Sequence, residues 1–240
     1  MIVSCKAYDL PGAIGDFAPA VGPRTVVLPL LNGMRHLDAL DARFGGDAVL
    51  GGLCLISSRL DEEGRILHLS DVHRLTFGAR SPAQAEAAQA VAESFAGANL
   101  EPMRSDDVTL AMWEKWTFLA ALAGVTCLMR AAIGDVVKAD GTDLILAILE
   151  ECRAIAESNG HSPREPFLEM SRRRLTDPNS TLTASMLDDL ERGGPTEADH
   201  ILGDLLRRGA SEPGPSSLLH AALVAIRAQE SRRGRAPSNG

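Results

Sequence analysis

Thr25-Val26-Val27-Leu28-Pro29-Leu30-Leu31-Asn32-Gly33 is a run of Val and Leu, broken by Pro29, that closes on a turn pair. Such a run, short and apolar on both sides, reads as a buried strand of a parallel sheet. Working outward, Ile2–Cys5 is a second short apolar run. Leu10–Val21 between them has helical spacing and stops at Gly22-Pro23. Met34–Phe44 reads as a further helix ended by Gly45-Gly46. Residues 1–48 therefore alternate strand, helix, strand, helix, which implies parallel strands joined by helical crossovers.

Beyond residue 48 the pattern changes. Val49–Ser57, Arg65–Leu69 and Arg74–Phe77 are strand-like, with Asp61-Glu62-Glu63-Gly64 as a hairpin turn between the first two. Ser81-Pro82-Ala83-Gln84 carries the marks of a helix start, with that helix running to about Ala96, and Leu100–Arg104 is a last strand. From Asp106 the signals are helical: Asp106–Met129, Asp143–Asn159, Pro166–Leu175, Thr196–Arg208 and Ser216–Arg232. The expected fold class is α/β followed by all-α. The expected parts are 1–105, 106–232 and a frayed tail at 233–240.

The chain has 240 residues and a formal net charge of −8, which argues against a nucleic-acid partner. The arginines at 172–174 and 207–208 read as solvated helix faces. The stretch Trp116–Met129 is too short to span a membrane. Cys5, Cys54, Cys127 and Cys152 have neither C-x-x-C spacing nor a nearby His, and read as small core residues in a reducing compartment; no metal site is expected. No secretory leader is visible, so the expected location is the cytoplasm. His36, His73 and His200 read as ordinary surface or hydrogen-bonding residues.

The local chemistry is sparse. In Met112-Trp113-Glu114-Lys115-Trp116-Thr117-Phe118-Leu119 a lysine lies in an apolar helix between the only two tryptophans. A buried lysine gives up its proton readily; taken alone, the segment reads rather as a Lys115 that snorkels outward or pairs with Glu114 or another acid. Asn32 and Lys6 both follow strands, where open parallel sheets bind ligands; each is also an ordinary turn or surface residue. Glu197 and Asp199 suit the first turn of a helix. Gly12-Ala13-Ile14-Gly15 looks like half a dinucleotide fingerprint but sits inside a helix pattern.

In their order and spacing, Ser4-Cys5-Lys6-Ala7-Tyr8, Val27–Gly33, Val49-Leu50-Gly51-Gly52, Trp113-Glu114-Lys115, Ser185–Leu190 and Pro195–Asp199 resemble the ketopantoate reductase family. The resemblance implies a Rossmann-type N-terminal domain, a helical C-terminal domain and an active site in the cleft between them. It implies NADPH as cofactor and a small keto acid as substrate, with Lys115 as proton donor. Asn32 would contact cofactor and substrate, and Ser185, Met186, Leu187 and Asp188 would hold the substrate's carboxylate end. Lys6, Ser58 and Glu197 would face the cofactor. Neither nucleic acid nor membrane is an expected partner; a homodimer stays open as the assembly.

Two departures follow from the resemblance. The family opens with strand, glycine-rich loop, helix, strand, helix and strand before the Lys6 position, about 60–70 residues that are expected to be missing here. On that expectation the Rossmann-type domain is truncated, by a misplaced start or a gene fragment, and NADPH binds poorly. In addition, amides that help bind ketopantoate in the family correspond here to Leu119, Ala123 and Ile133, which makes the pocket more apolar. Alternatives to a ketopantoate reductase are a non-catalytic remnant that keeps a helical dimerisation module, and a related opine or 3-hydroxy-acid dehydrogenase.

Overall fold

A computed structural model describes residues 1–61, 63–210, 212, 214 and 216–233. The chain forms two compact units, Met1–Met112 and Trp113–Gly240. The expected turn residue Glu62 and tail residues 234–240 lie outside the described residues.

In the first unit β1 (Ile2–Val3) pairs in parallel with β2 (Leu28–Pro29), and Val27 bridges in parallel to Val49. Three short parallel segments thus lie side by side. Between them run α1 (Leu10–Phe17), flanked by 3-10 turns, and α2 (Arg35–Phe44). The pair Gly12 and Gly15 lies inside α1. The third segment continues into β3 (Gly51–Leu60), which pairs antiparallel with β4 (Ile66–Gly78); β5 (Glu101–Arg104) adds to β4 in parallel. A side chain at Gly52 would meet the Pro29 carbonyl oxygen and Leu28 Cδ1, both at 2.6 Å, so only glycine lets β3 pass this close to β2.

Two strands were expected at 65–69 and 74–77, whereas β4 is continuous. The polar residues Ser70 and Asp71 interrupt the apolar pattern, but a bulge between Ile56 and Ser58 keeps the backbone paired on both sides. The core of this unit is Leu28, Leu50, Leu75, Phe77 and Ala88, with Val91 of α3 (Ala85–Ser94) and Phe95, just past its end, packed against it. Gln84, buried, donates to the carbonyls of Gly46 and Val49 at 2.7 Å each. Arg80 donates to the Val49 carbonyl and both oxygens of Asp41. Together they fix the loop that feeds β3.

α4 (Val108–Met129) starts in the first unit and forms the axis of the second. Around it come α5 (Ile133–Lys138), α6 (Thr142–Ser158), α7 (Glu165–Leu175), α8 (Ser185–Arg192), a π-helical turn at Asp199–Gly203 running into α9 (Asp204–Arg207), and α10 (Leu218–Arg233). α6 buries Ile145, Ile148, Leu149, Cys152 and Ala156, an i, i+3, i+4, i+7, i+11 stripe, and packs against α10, which buries Leu219, Ala222, Leu223 and Ile226. Burial of this kind contributes roughly 1.5–3 kcal/mol for each large aliphatic side chain. No helix among the described residues is long and apolar enough to cross a membrane, and they contain no group of acids, His and Cys suited to a metal.

Several side chains depart from expectation. His36 and His200 are buried, which removes the surface alternative of their reading. Cys127 and Cys152 are core residues as expected, but Cys5 and Cys54 are only half-buried. Arg207 and Arg208 both pair with buried Asp204, and the Arg174 guanidinium lies over the Phe118 ring at 4.9 Å, so these arginines do more than solvate helix faces.

Candidate active site

α4 is apolar nearly all round, the signature of a helix enclosed on every side. Among residues 113–127 only Lys115 and Leu119 are not buried. They are four apart and therefore share one stripe of the helix surface. Their neighbours along that face, Phe118, Leu122 and Ala123, are buried and apolar.

The residues beside Lys115 are anchored. Glu114, 5% exposed at its side chain, accepts from Arg164 three times: from the backbone N–H at 2.9 Å, from Nε at 2.9 Å and from Nη2 at 2.5 Å. A two-pronged guanidinium–carboxylate pair of this kind fixes orientation as well as charge. Trp113 stacks on His161 with ring centres 5.4 Å apart and leans on Trp116 at 5.0 Å. Trp116 Nε1 donates to the Ile201 carbonyl at 2.9 Å, and Arg208 lies over the indole. With its flanking residues held, Lys115 has a fixed base from which to project.

The Trp116 bond also locates Glu197. Ile201 N donates to the Glu197 carbonyl at 2.9 Å, so the turn that carries Glu197 is tied to α4 next to Lys115. Thr196 N and Oγ1 both donate to Glu230 Oε1, at 3.1 and 2.8 Å, which pins the turn from α10. The Glu197 side chain is buried, and a π-helical turn starts two residues later. Single π turns inside helices recur at functional sites.

The Ser185–Asp188 segment is the first turn of α8. Its cap, Ala184, donates its N–H to Thr126 Oγ1 of α4 at 3.3 Å. The preceding loop is stitched to α5: Ile133 N donates to the Leu182 carbonyl and Gly134 N to the Ser180 carbonyl. Met186 and Leu187 point into the core, while Ser185 and Asp188 are exposed. Thr126 is eleven residues beyond Lys115, about 16 Å along the helix axis at the usual rise. These bonds therefore tie the Glu197 turn to α4 nearer Lys115 than they tie the Ser185 turn.

In the first unit Lys6 and Asn32 each follow one of two neighbouring parallel strands. Val3 is paired with Pro29, and each of the two residues lies three positions past that rung, at the carboxyl ends of neighbouring parallel strands. Both are half-buried. Gly33 has φ 76°, a backbone that glycine adopts without strain, and it turns the chain from β2 into α2. Ser58 is placed differently. It is exposed on the β3–β4 hairpin, six residues past Gly52, roughly 20 Å along an extended strand.

Sequence reasoning missed the partner of Glu114. Arg164 is fifty residues away, and nothing local marks it. A cavity of about 430 Å³, lined by Glu151 and Ile155 of α6, Leu206 of α9, and Gly209 and Ser217 among others, contains none of these side chains.

Residues 107–230 match the model of the ketopantoate reductase PanE/ApbA C-terminal family, and residues 1–82 match that of ketopantoate reductase PanE/ApbA. The chain belongs to the ketopantoate reductase family. It is 36% identical over 210 residues to the "Uncharacterized oxidoreductase YkpB" of Bacillus subtilis strain 168, an alignment spanning 87% of this chain and 69% of that protein. The crystal structure of 2-dehydropantoate 2-reductase from Methylococcus capsulatus superposes with a TM-score of 0.84 at 25% identity, covering 98% of this chain and 76% of that one. D-mandelate dehydrogenase, solved with NADH and anilino(oxo)acetate, superposes with a TM-score of 0.85 at 19% identity, over 97% and 77% of the two chains. The ketopantoate reductase family fold, an α/β unit followed by a helical unit, is therefore the fold of this chain, and its relatives in the family are oxidoreductases.

Proposed function

We propose that the protein reduces a 2-keto acid, ketopantoate or a related one, and that Lys115 protonates the carbonyl oxygen as it gains charge. The observation that carries this is the position of Lys115: between Trp113 and Cys127 it is the one charged side chain on the only stripe of α4 that is not buried. A positioned acid at the reacting oxygen contributes typically 10²–10⁴-fold to rate.

The cofactor we assign is a nicotinamide nucleotide, NADPH, which when bound supplies the hydride. Lys6 and Asn32 suit it: a cation and an amide each follow the carboxyl end of one of two neighbouring parallel strands, where sheets of this class take nucleotides. Residues 1–105 would thus form the cofactor part, with Ser58 offering a further contact from the hairpin. Residues 106–232 would form the substrate part and the surface of a homodimer. There Lys115 holds its proton ready, Glu197 contributes a buried carboxylate to the cofactor, and the Ser185–Asp188 turn orients the substrate's carboxylate end. Asn32 would serve both ligands.

The test is NADPH consumption by the purified protein with a panel of 2-keto acids. Lys115→Ala should lower kcat by about 10²–10⁴-fold with its helical content unchanged. A folded variant that keeps the wild-type kcat contradicts the assignment.

A further inference from the structure

We infer that Leu119 sets the substrate preference of this site, and that the keto acid it takes carries an apolar substituent rather than a hydroxylated one. The inference rests on the reading of Lys115 as proton donor and names the substrate class of that same site.

A 2-keto acid whose carbonyl oxygen meets Lys115 must lay its remaining carbon substituent somewhere along the helix face. Between Trp113 and Cys127 the one other side chain that is not buried is Leu119, a turn from Lys115 on the same stripe. Its flanks on that face are Phe118, Leu122 and Ala123, all buried. None of these four side chains can donate or accept a hydrogen bond. Ile133, at the head of α5, is likewise buried and apolar, and its backbone N–H is taken by the Leu182 carbonyl. A hydroxyl pressed against Leu119 loses water and gains no partner from these apolar side chains, which is unfavourable. An alkyl or aryl group there gains by burial.

The size of the effect follows from the asymmetry of such sites. An apolar pocket discriminates against an added hydroxyl only modestly, up to about 10²-fold. The two matched probes are 3,3-dimethyl-2-oxobutanoate and its 4-hydroxy derivative, ketopantoate, which differ by one hydroxyl. Phenylglyoxylate is the aryl probe. Affinity for each is measured by calorimetry on the full chain, and kcat/KM by NADPH consumption. The expected result is binding of the two apolar acids about 10–100-fold tighter than ketopantoate, with Leu119→Asn cutting that ratio by about tenfold, since an amide can meet the hydroxyl. Equal or tighter binding of ketopantoate, binding of none of the three acids, or a ratio untouched by Leu119→Asn overturns the inference. The two readings fail separately. Turnover that depends on Lys115 but favours ketopantoate sinks only the role of Leu119. Turnover that survives Lys115→Ala sinks the proton-donor reading beneath it.

Discussion

The β3–β4 hairpin and α4 expose side chains in opposite ways. On the hairpin Ile66, Leu69, Val72, Leu55 and Ile56 are all open, on both faces and around a bulge, so no one position stands out. On α4 from Trp113 to Cys127 everything is closed except Lys115 and Leu119. Exposure carries information only against an enclosed background. An open leucine on a hairpin is ordinary, because folded proteins show much apolar surface. An open leucine beside an open lysine on an enclosed helix marks a surface kept for something else.

That contrast can be broken by mutation, beginning where the cost should be greatest. Arg164→Met leaves the Glu114 carboxylate buried without its cation, and stripping one partner from such a pair costs about 3 kcal/mol, at the low end of the range because the arginine side is open to water. Urea unfolding measures it; a loss under half that figure would mean the pair is not what holds the Lys115 segment. Next comes Trp116→Phe, which removes the donor to the Ile201 carbonyl and should lower stability by roughly 1–2 kcal/mol while loosening the Glu197 turn, visible as faster amide exchange at residues 197–201. Thr117→Val acts in the other direction. Its hydroxyl is buried with no hydrogen-bond partner, so the isosteric methyl should raise stability by about 1 kcal/mol. Ile66→Ser, on the open hairpin, should shift stability by no more than about 0.5 kcal/mol. If it proved as costly as Arg164→Met, the hairpin would be covered in solution and the contrast would fail.

The cysteines sharpen the same comparison with chemistry. Burial pushes the Cys127 thiol up to about 12, and Cys152 is raised by burial as well, so neither forms thiolate near neutral pH. Cys5 and Cys54 are half-buried. A thiol reagent at neutral pH should therefore modify Cys5 and Cys54 first, and label Cys127 and Cys152 only on unfolding, as peptide mass analysis would show.

Much of this architecture was legible from local signals. The strand–helix alternation of residues 1–48, the Asn32-Gly33 turn and the long apolar run of α4 each follow from short-range chemistry, and the structure has them. What escaped was held by distant groups. α8 leaves no clear local signal because it has only eight residues and an alanine cap; Thr126, 58 residues earlier, accepts that alanine's N–H and holds the helix start in place. α5 is shorter still and is fixed by the 180–182 backbone. β4 looked like two strands because a bulge hides in its partner. At the candidate site, the unusual lysine could be picked out from its apolar surroundings. That Glu114 belongs to Arg164 could not, since an ion pair across fifty residues leaves no mark on sequence spacing.

The most direct check is a crystal structure of the protein soaked with a 2-hydroxy acid and oxidised cofactor. The expected density puts the acid's hydroxyl oxygen about 2.7–3.2 Å from Lys115 Nζ, with its carbon substituent lying on Leu119. An acid bound away from α4, for instance in the cavity beside Glu151 and Ser217, with Lys115 untouched, would contradict the account.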